Sequence, residues 1–135
     1  MKVEPTNVLI IDGNKSTSRT FKLILQKRGF TVFVAEDFKK ALEKIKTDPF
    51  DAVLISLENP DTDGFDLLLF ARKNLPNAAR LVTIGVPYLE TSIKALELGA
   101  DAVFSKPVSP EQLIMVIDKI TQKIAKEPKT MDKKN

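Results

Sequence analysis

The sequence contains neither cysteine nor histidine. Without cysteine there can be no disulfide, no thiolate metal site and no thiol nucleophile. Without histidine there is no imidazole base, no Ser-His-Asp triad and none of the commonest zinc-ligand sets. Long apolar runs are missing too. Those present are short and interrupted, so no segment is expected to span a bilayer. The N-terminal MKVEPTN lacks the apolar stretch of a signal peptide, which leads us to expect a cytoplasmic protein.

What is there describes a soluble domain. The 135 residues are 43% hydrophobic and 29% charged, enough for one domain that buries roughly two-thirds of its unfolded surface. The net charge of +3 is uneven: residues 126–135 hold four Lys against Glu127 and Asp132, leaving a near-neutral body. We therefore expect a domain over residues 1–126 and a disordered Lys-rich tail over 127–135. Neither nucleic acid nor membrane is expected as a partner.

Five apolar runs recur at Val8–Ile11, Val32–Ala35, Ala52–Leu57, Leu81–Ile84 and Ala102–Phe104. They are nearly continuous in hydrophobicity and end at polar or turn residues, as parallel strands buried on both faces do. Segments of helical period lie between them. The first carries Phe21, Ile24, Leu25 and Arg28 and stops at Gly29. The second follows an Asp37 N-cap and stops before Pro49. The third carries Leu67, Leu68 and Ala71, and the fourth carries Ile93, Leu96 and Glu97 and stops at Gly99. The last opens on Ser109-Pro110-Glu111-Gln112, a capping box with Pro at its first position, followed by the stripe Leu113, Ile117, Ile120 and Ile124.

Alternating strands and helices predict an α/β, flavodoxin-like, doubly wound five-stranded parallel sheet of order 2-1-3-4-5. In such sheets ligands sit beyond the carboxyl ends of the strands where the order reverses. That rule selects Asp12, Gly13 and Asn14 after the first strand and Ser56, Leu57 and Glu58 at the third. It also selects Thr83, Ile84 and Gly85 at the fourth and Ser105 and Lys106 at the fifth.

The segments VLIID at 8–12, DAVLISLENPDTDGFDLL at 51–68, KALELGAD at 94–101 and SKPVSPEQL at 105–113 resemble a receiver domain. This is the CheY-like phosphoacceptor module of bacterial and archaeal response regulators, and the likeness covers about residues 6–125. It implies a role in two-component or phosphorelay signalling, with a histidine kinase, a downstream target or a second copy as partner, and no enzymatic role is expected. It also implies a pocket from which this chain departs. The family holds magnesium with two acidic residues after the first strand, and here stand Asp12 and Gly13. Where it presents the phosphoacceptor Asp, this chain has Ser56. At the position of Glu58 the family uses only the backbone carbonyl. The switch hydroxyl of the fourth strand corresponds to Ile84, with Thr83 one place earlier, and the switch aromatic corresponds to Val103. Lys106 is retained with Pro107, whose preceding bond is cis in the family.

An acyl phosphate needs a carboxylate nucleophile and a metal to neutralise the transferring group. The hydroxyl of Ser56 is a poor nucleophile unless a base takes its proton. The chain has no His, and Lys106 would have to be neutral to serve. Asp12 could in principle serve, but it is also the one intact metal ligand, a poor magnesium site by itself. The expectation is a pseudo-receiver without magnesium or other cofactor, in which Lys106 pairs directly with Asp12. Blander readings stand beside this one. Asp12 can serve loop amides, Ser56 can be a small filler, and Thr83 can be an ordinary strand residue. Two alternatives remain: phosphorylation of Ser56 or of a nearby carboxylate such as Asp61 or Asp63, and a flavodoxin-type ligand cradled by the hydroxyl-rich loop 13–18, whose Ser16 is equally explained as a helix N-cap. A module without chemistry must act through its surface. For that surface we expect Tyr88 and Leu89 at the fourth helix, Ile114 or Met115 on the fifth, and Leu69 and Phe70 on the third.

Overall fold

The computed structural model describes residues 6–58, 63–85 and 89–121. Tyr88, Asp61 and the tail at 127–135 lie outside the described residues. The chain alternates β1 (Asn7–Ile11), α1 (Lys15–Lys27), β2 (Thr31–Ala35), α2 (Phe38–Thr47), β3 (Ala52–Ser56), α3 (Gly64–Asn74), β4 (Ala79–Ile84), α4 (Leu89–Glu97) and β5 (Ala102–Ser105). A fifth helix, α5, occupies residues 110–121. The strands form one parallel sheet in the order β2-β1-β3-β4-β5, as the alternation predicts.

Side-chain alternation along each strand divides the core into two layers. Leu9, Ile11, Val53, Ile55, Val82 and Ile84 face α2, α3 and α4. Val8, Ile10, Ala52, Leu54 and Leu81 face α1 and α5, where Phe21, Leu25, Leu113 and Ile117 meet them. Both layers are close to fully buried, which is why the strands read as continuous apolar runs.

The helix ends are set locally. Asp37 accepts from Lys40 N at 2.8 Å and Asp63 from Asp66 N at 3.2 Å, each satisfying a first-turn amide. Ser109 Oγ accepts from Gln112 N at 3.4 Å, placing the cap of α5 as expected. For α1 the expectation of Ser16 is corrected. Asn14 is the N-cap, its Oδ1 accepting from Thr17 N at 3.0 Å, and Ser16 already lies in the first turn. Gly99 ends α4 at φ +114°, a left-handed conformation in which its missing Cβ also leaves room for the Arg72 side chain.

Candidate functional site

Continuing the same alternation towards the carboxyl ends of the strands places polar groups at one end of the sheet. Ile11 is followed by Asp12, Ile55 by Ser56 and Val82 by Thr83, so all three stand on the α1/α5 side. All three are buried. The loop after β5 brings Lys106 to them.

Lys106 Nζ donates to Ser56 Oγ at 3.1 Å. The same ammonium lies 3.4 Å from Glu58 Oε1 and 3.6 Å from Asp12 Oδ2. The expected pairing of Lys106 with Asp12 therefore exists, but it is the longest of three contacts. Asp12 is further engaged through Oδ1, which accepts from Asn14 N at 2.9 Å, so the carboxylate both orders the loop and faces the ammonium. Glu58 is the outermost member, its side chain 45% exposed against 9% for Asp12. Its carboxylate lies against Gly85, in space that any Cβ at that position would fill.

The other sequence-selected residues divide clearly. Gly13 is exposed beside Asp12 and supplies no ligand. Ile84 turns into the α2/α3/α4 layer, and Val103 packs against that same layer. Thr83, buried on the Ser56 side, makes no side-chain hydrogen bond among the described residues. Pro107 follows a cis peptide bond. Among the described residues, no three acidic, histidine or cysteine side chains gather to hold a metal ion.

Beside this cluster a cavity of about 560 Å³ is lined by Ser16, Thr17, Thr20, Phe21, Lys106, Pro107, Val108 and Pro110. Phe21 is its one aromatic residue among the described ones.

On the surface, Leu89 and Met115 are exposed as expected, at 75% and 58%. Ile114 is not. It is buried with Leu113 and Ile117 in the α1/α5 layer, because a helix laid across a sheet buries an arc wider than one stripe. Leu69 is exposed, whereas Phe70 is half-buried, packs against the core and lies 6.0 Å from the Lys46 ammonium. Ile93 and Leu96, which the sequence pattern placed in the fourth helix, are exposed. With Leu89 they form a stripe along α4.

A family model described as the response regulator receiver domain matches residues 8–118. A receiver domain protein from Methanospirillum hungatei JF-1 superimposes with a TM-score of 0.87 at 31% identity, covering 92% of this chain and 99% of that one. A response regulator from Burkholderia pseudomallei, solved with a phosphorylated aspartic acid and a calcium ion, gives a TM-score of 0.81 at 25% identity. That match covers 91% of this chain and 72% of that one. The cell cycle transcriptional regulator CtrA of Caulobacter vibrioides is 27% identical over 116 residues, 86% of this chain and 50% of CtrA. The chain thus spans about half the length of the curated relatives it matches.

Proposed function

This chain belongs to the response regulator receiver family, and on that premise we propose that it signals by protein–protein contact without forming an aspartyl phosphate at the end of β3. The observation that carries this reading is the state of Ser56. At the position where the family presents its acid stands a buried alcohol that accepts a hydrogen bond from Lys106.

The chemistry follows from that contact. A serine hydroxyl needs a base to become a nucleophile. The nearest group is an ammonium that already donates to it, and an ammonium cannot take its proton. Burial also keeps Ser56 away from a kinase that would modify it from outside. Asp63 is engaged as the cap of α3. These points favour contact-based signalling over the modified-residue alternatives.

Magnesium, which the family uses, does not fit this set of residues. Gly13 brings no oxygen to the site from its side chain, Ser56 brings a neutral one, and the Asp12 carboxylate faces a cation already in place. No step is derived through a metal. The switch positions agree with this reading: Ile84 and Val103 offer neither hydroxyl nor ring to respond to a phosphoryl group, and both belong to the opposite layer.

The surface on which we place the partner is the apolar stripe of α4, Leu89, Ile93 and Leu96, with Met115 of α5 as a further candidate. The partner class is a kinase, a downstream target of the pathway, or a second copy of the chain. No helix among the described residues is long and apolar enough to cross a membrane. The flavodoxin-type alternative has less support, since among the described residues the cavity beside Lys106 offers one aromatic side chain and no second to sandwich a flavin.

Incubation with acetyl phosphate and magnesium, followed by intact mass measurement, tests the reading. The mass should not change. A labile adduct of about 80 Da would overturn it.

A further inference from the structure

Glu58 differs from the other neighbours of Lys106 in how it reaches the ammonium. Ser56 and Asp12 are held in place by strand ends and are buried. Glu58 lies beyond β3, is half in solvent, and arrives by its own flexible side chain. Its carboxylate rests where Gly85, just past β4, has no Cβ, so a side chain at residue 85 would displace it. A notch floored by Gly85 and walled by the Lys106 ammonium is thus filled by one carboxylate.

We propose that this notch between Gly85 and Lys106 is a carboxylate-binding site whose resident ligand is the chain's own Glu58. The charges favour a monoanion of this kind. With Glu58 in place, two carboxylates face one ammonium, and removing Glu58 leaves Asp12 and Lys106 as a balanced pair. A small carboxylate entering the notch restores the native count of two negative charges facing one ammonium, whereas a phosphate dianion would raise it to three beside buried Asp12. In the intact chain the tethered ligand ties the loop after β3 to the loop after β5, resting against Gly85 after β4, with neither ion nor modification. A partner presenting an aspartate, a glutamate or a chain terminus would have to compete with it.

The inference is independent of whether the module is phosphorylated, and the mass experiment above tests that question separately. Its own test is a formate titration followed by amide NMR on wild type, Glu58→Ala and Glu58→Ala/Gly85→Ala. Glu58→Ala changes an exposed side chain and should fold. It should show saturable shifts at Ser56, Gly85 and Lys106, with half-saturation in the millimolar range. Wild type should show none at the same concentrations, because the tethered carboxylate is always present. In the double variant the added methyl fills the notch, and binding should weaken at least tenfold. Absence of saturable shifts in Glu58→Ala, or equal formate binding by wild type, would overturn the proposal. So would a folded double variant that binds as well as Glu58→Ala.

Discussion

Ser56 on β3 and Thr83 on β4 are register partners, so their side chains rise from the same face of the sheet. Both are buried, and their hydroxyls have different fates. Lys106 engages Ser56, while among the described residues nothing engages Thr83. A buried hydroxyl without a partner costs roughly 1–3 kcal/mol. Thr83→Val keeps the branched shape and relieves part of that cost. The variant should be neutral or more stable by up to about 1 kcal/mol in urea unfolding. A clear loss of stability would mean that the hydroxyl is satisfied after all.

Lys106 tests the cluster from the other side. Replacing it with Met leaves Asp12 buried with the Asn14 amide as its remaining contact. Partial exposure of Lys106 moderates the penalty, which we expect to be about 1–3 kcal/mol in urea unfolding. Ser56→Ala, which removes one acceptor, should cost about 0.5–1.5 kcal/mol. Because the two side chains touch, the double variant should lose less than the two single losses added together.

The metal prediction is a gain of function. If the losses at positions 13 and 56 are what removed the ion, Gly13→Asp/Ser56→Asp should acquire site-localised NMR shifts on magnesium titration, and wild type should show none. Magnesium shifts at Asp12 in the wild-type protein would contradict the reading of its pocket.

Along α4 the expected effects on binding and stability differ. Leu89→Ser and Ile93→Ser change exposed residues and should move stability by no more than about 0.5 kcal/mol. Each should weaken partner binding or self-association, measured by sedimentation for the latter. Leu67→Ala, at a fully buried position, should cost about 2–5 kcal/mol and serves as the core control.

The hydrogen bond from the Thr47 hydroxyl, and after it the Lys44 ammonium at 3.2 Å, hold the Asp48 carboxyl below its ordinary range. A depressed folded-state value means that the contribution to stability is present above the unfolded value. It is lost as pH falls through the folded one. Carbon NMR should place the Asp48 midpoint below that of an exposed aspartate, and Thr47→Val or Lys44→Met should raise it.

The architecture was legible because the central strands β1, β3 and β4 are buried on both faces and the helices on one, so hydrophobic period and fold carry the same information. Asp37 and Ser109 were legible as caps because each precedes its helix with no competing polar residue at the right distance. Asn14 was not, since Asn14-Lys15-Ser16-Thr17-Ser18 offers several candidates and backbone geometry chooses among them. Ile114 shows the limit of a narrow stripe: helical period places it beside the core, and how wide an arc is covered depends on what α5 lies against. The chemistry of the site was partly readable, since Ser56 closes β3 and Asp12 and Lys106 each directly follow a strand. The contact of Glu58 with Lys106 was not, because it depends on a glycine in a different loop, and sequence order gives no sign of that accommodation.

Arg80 sits at the start of β4, the end of the sheet away from Lys106. Its guanidinium donates to the carbonyls of Gly99, Leu75, Pro76 and Ala78, while its backbone exchanges hydrogen bonds with Asp101. One side chain thereby joins the α3–β4 and α4–β5 connections through backbone carbonyls, whereas at the opposite pole Lys106 joins its neighbours through side chains alone. Amide exchange should accordingly be graded along the strand axis, slowest near Arg80 and quickest around Glu58 and Gly85. Any adjustment to a partner would then be absorbed at that upper rim, leaving the base as the fixed frame against which it moves.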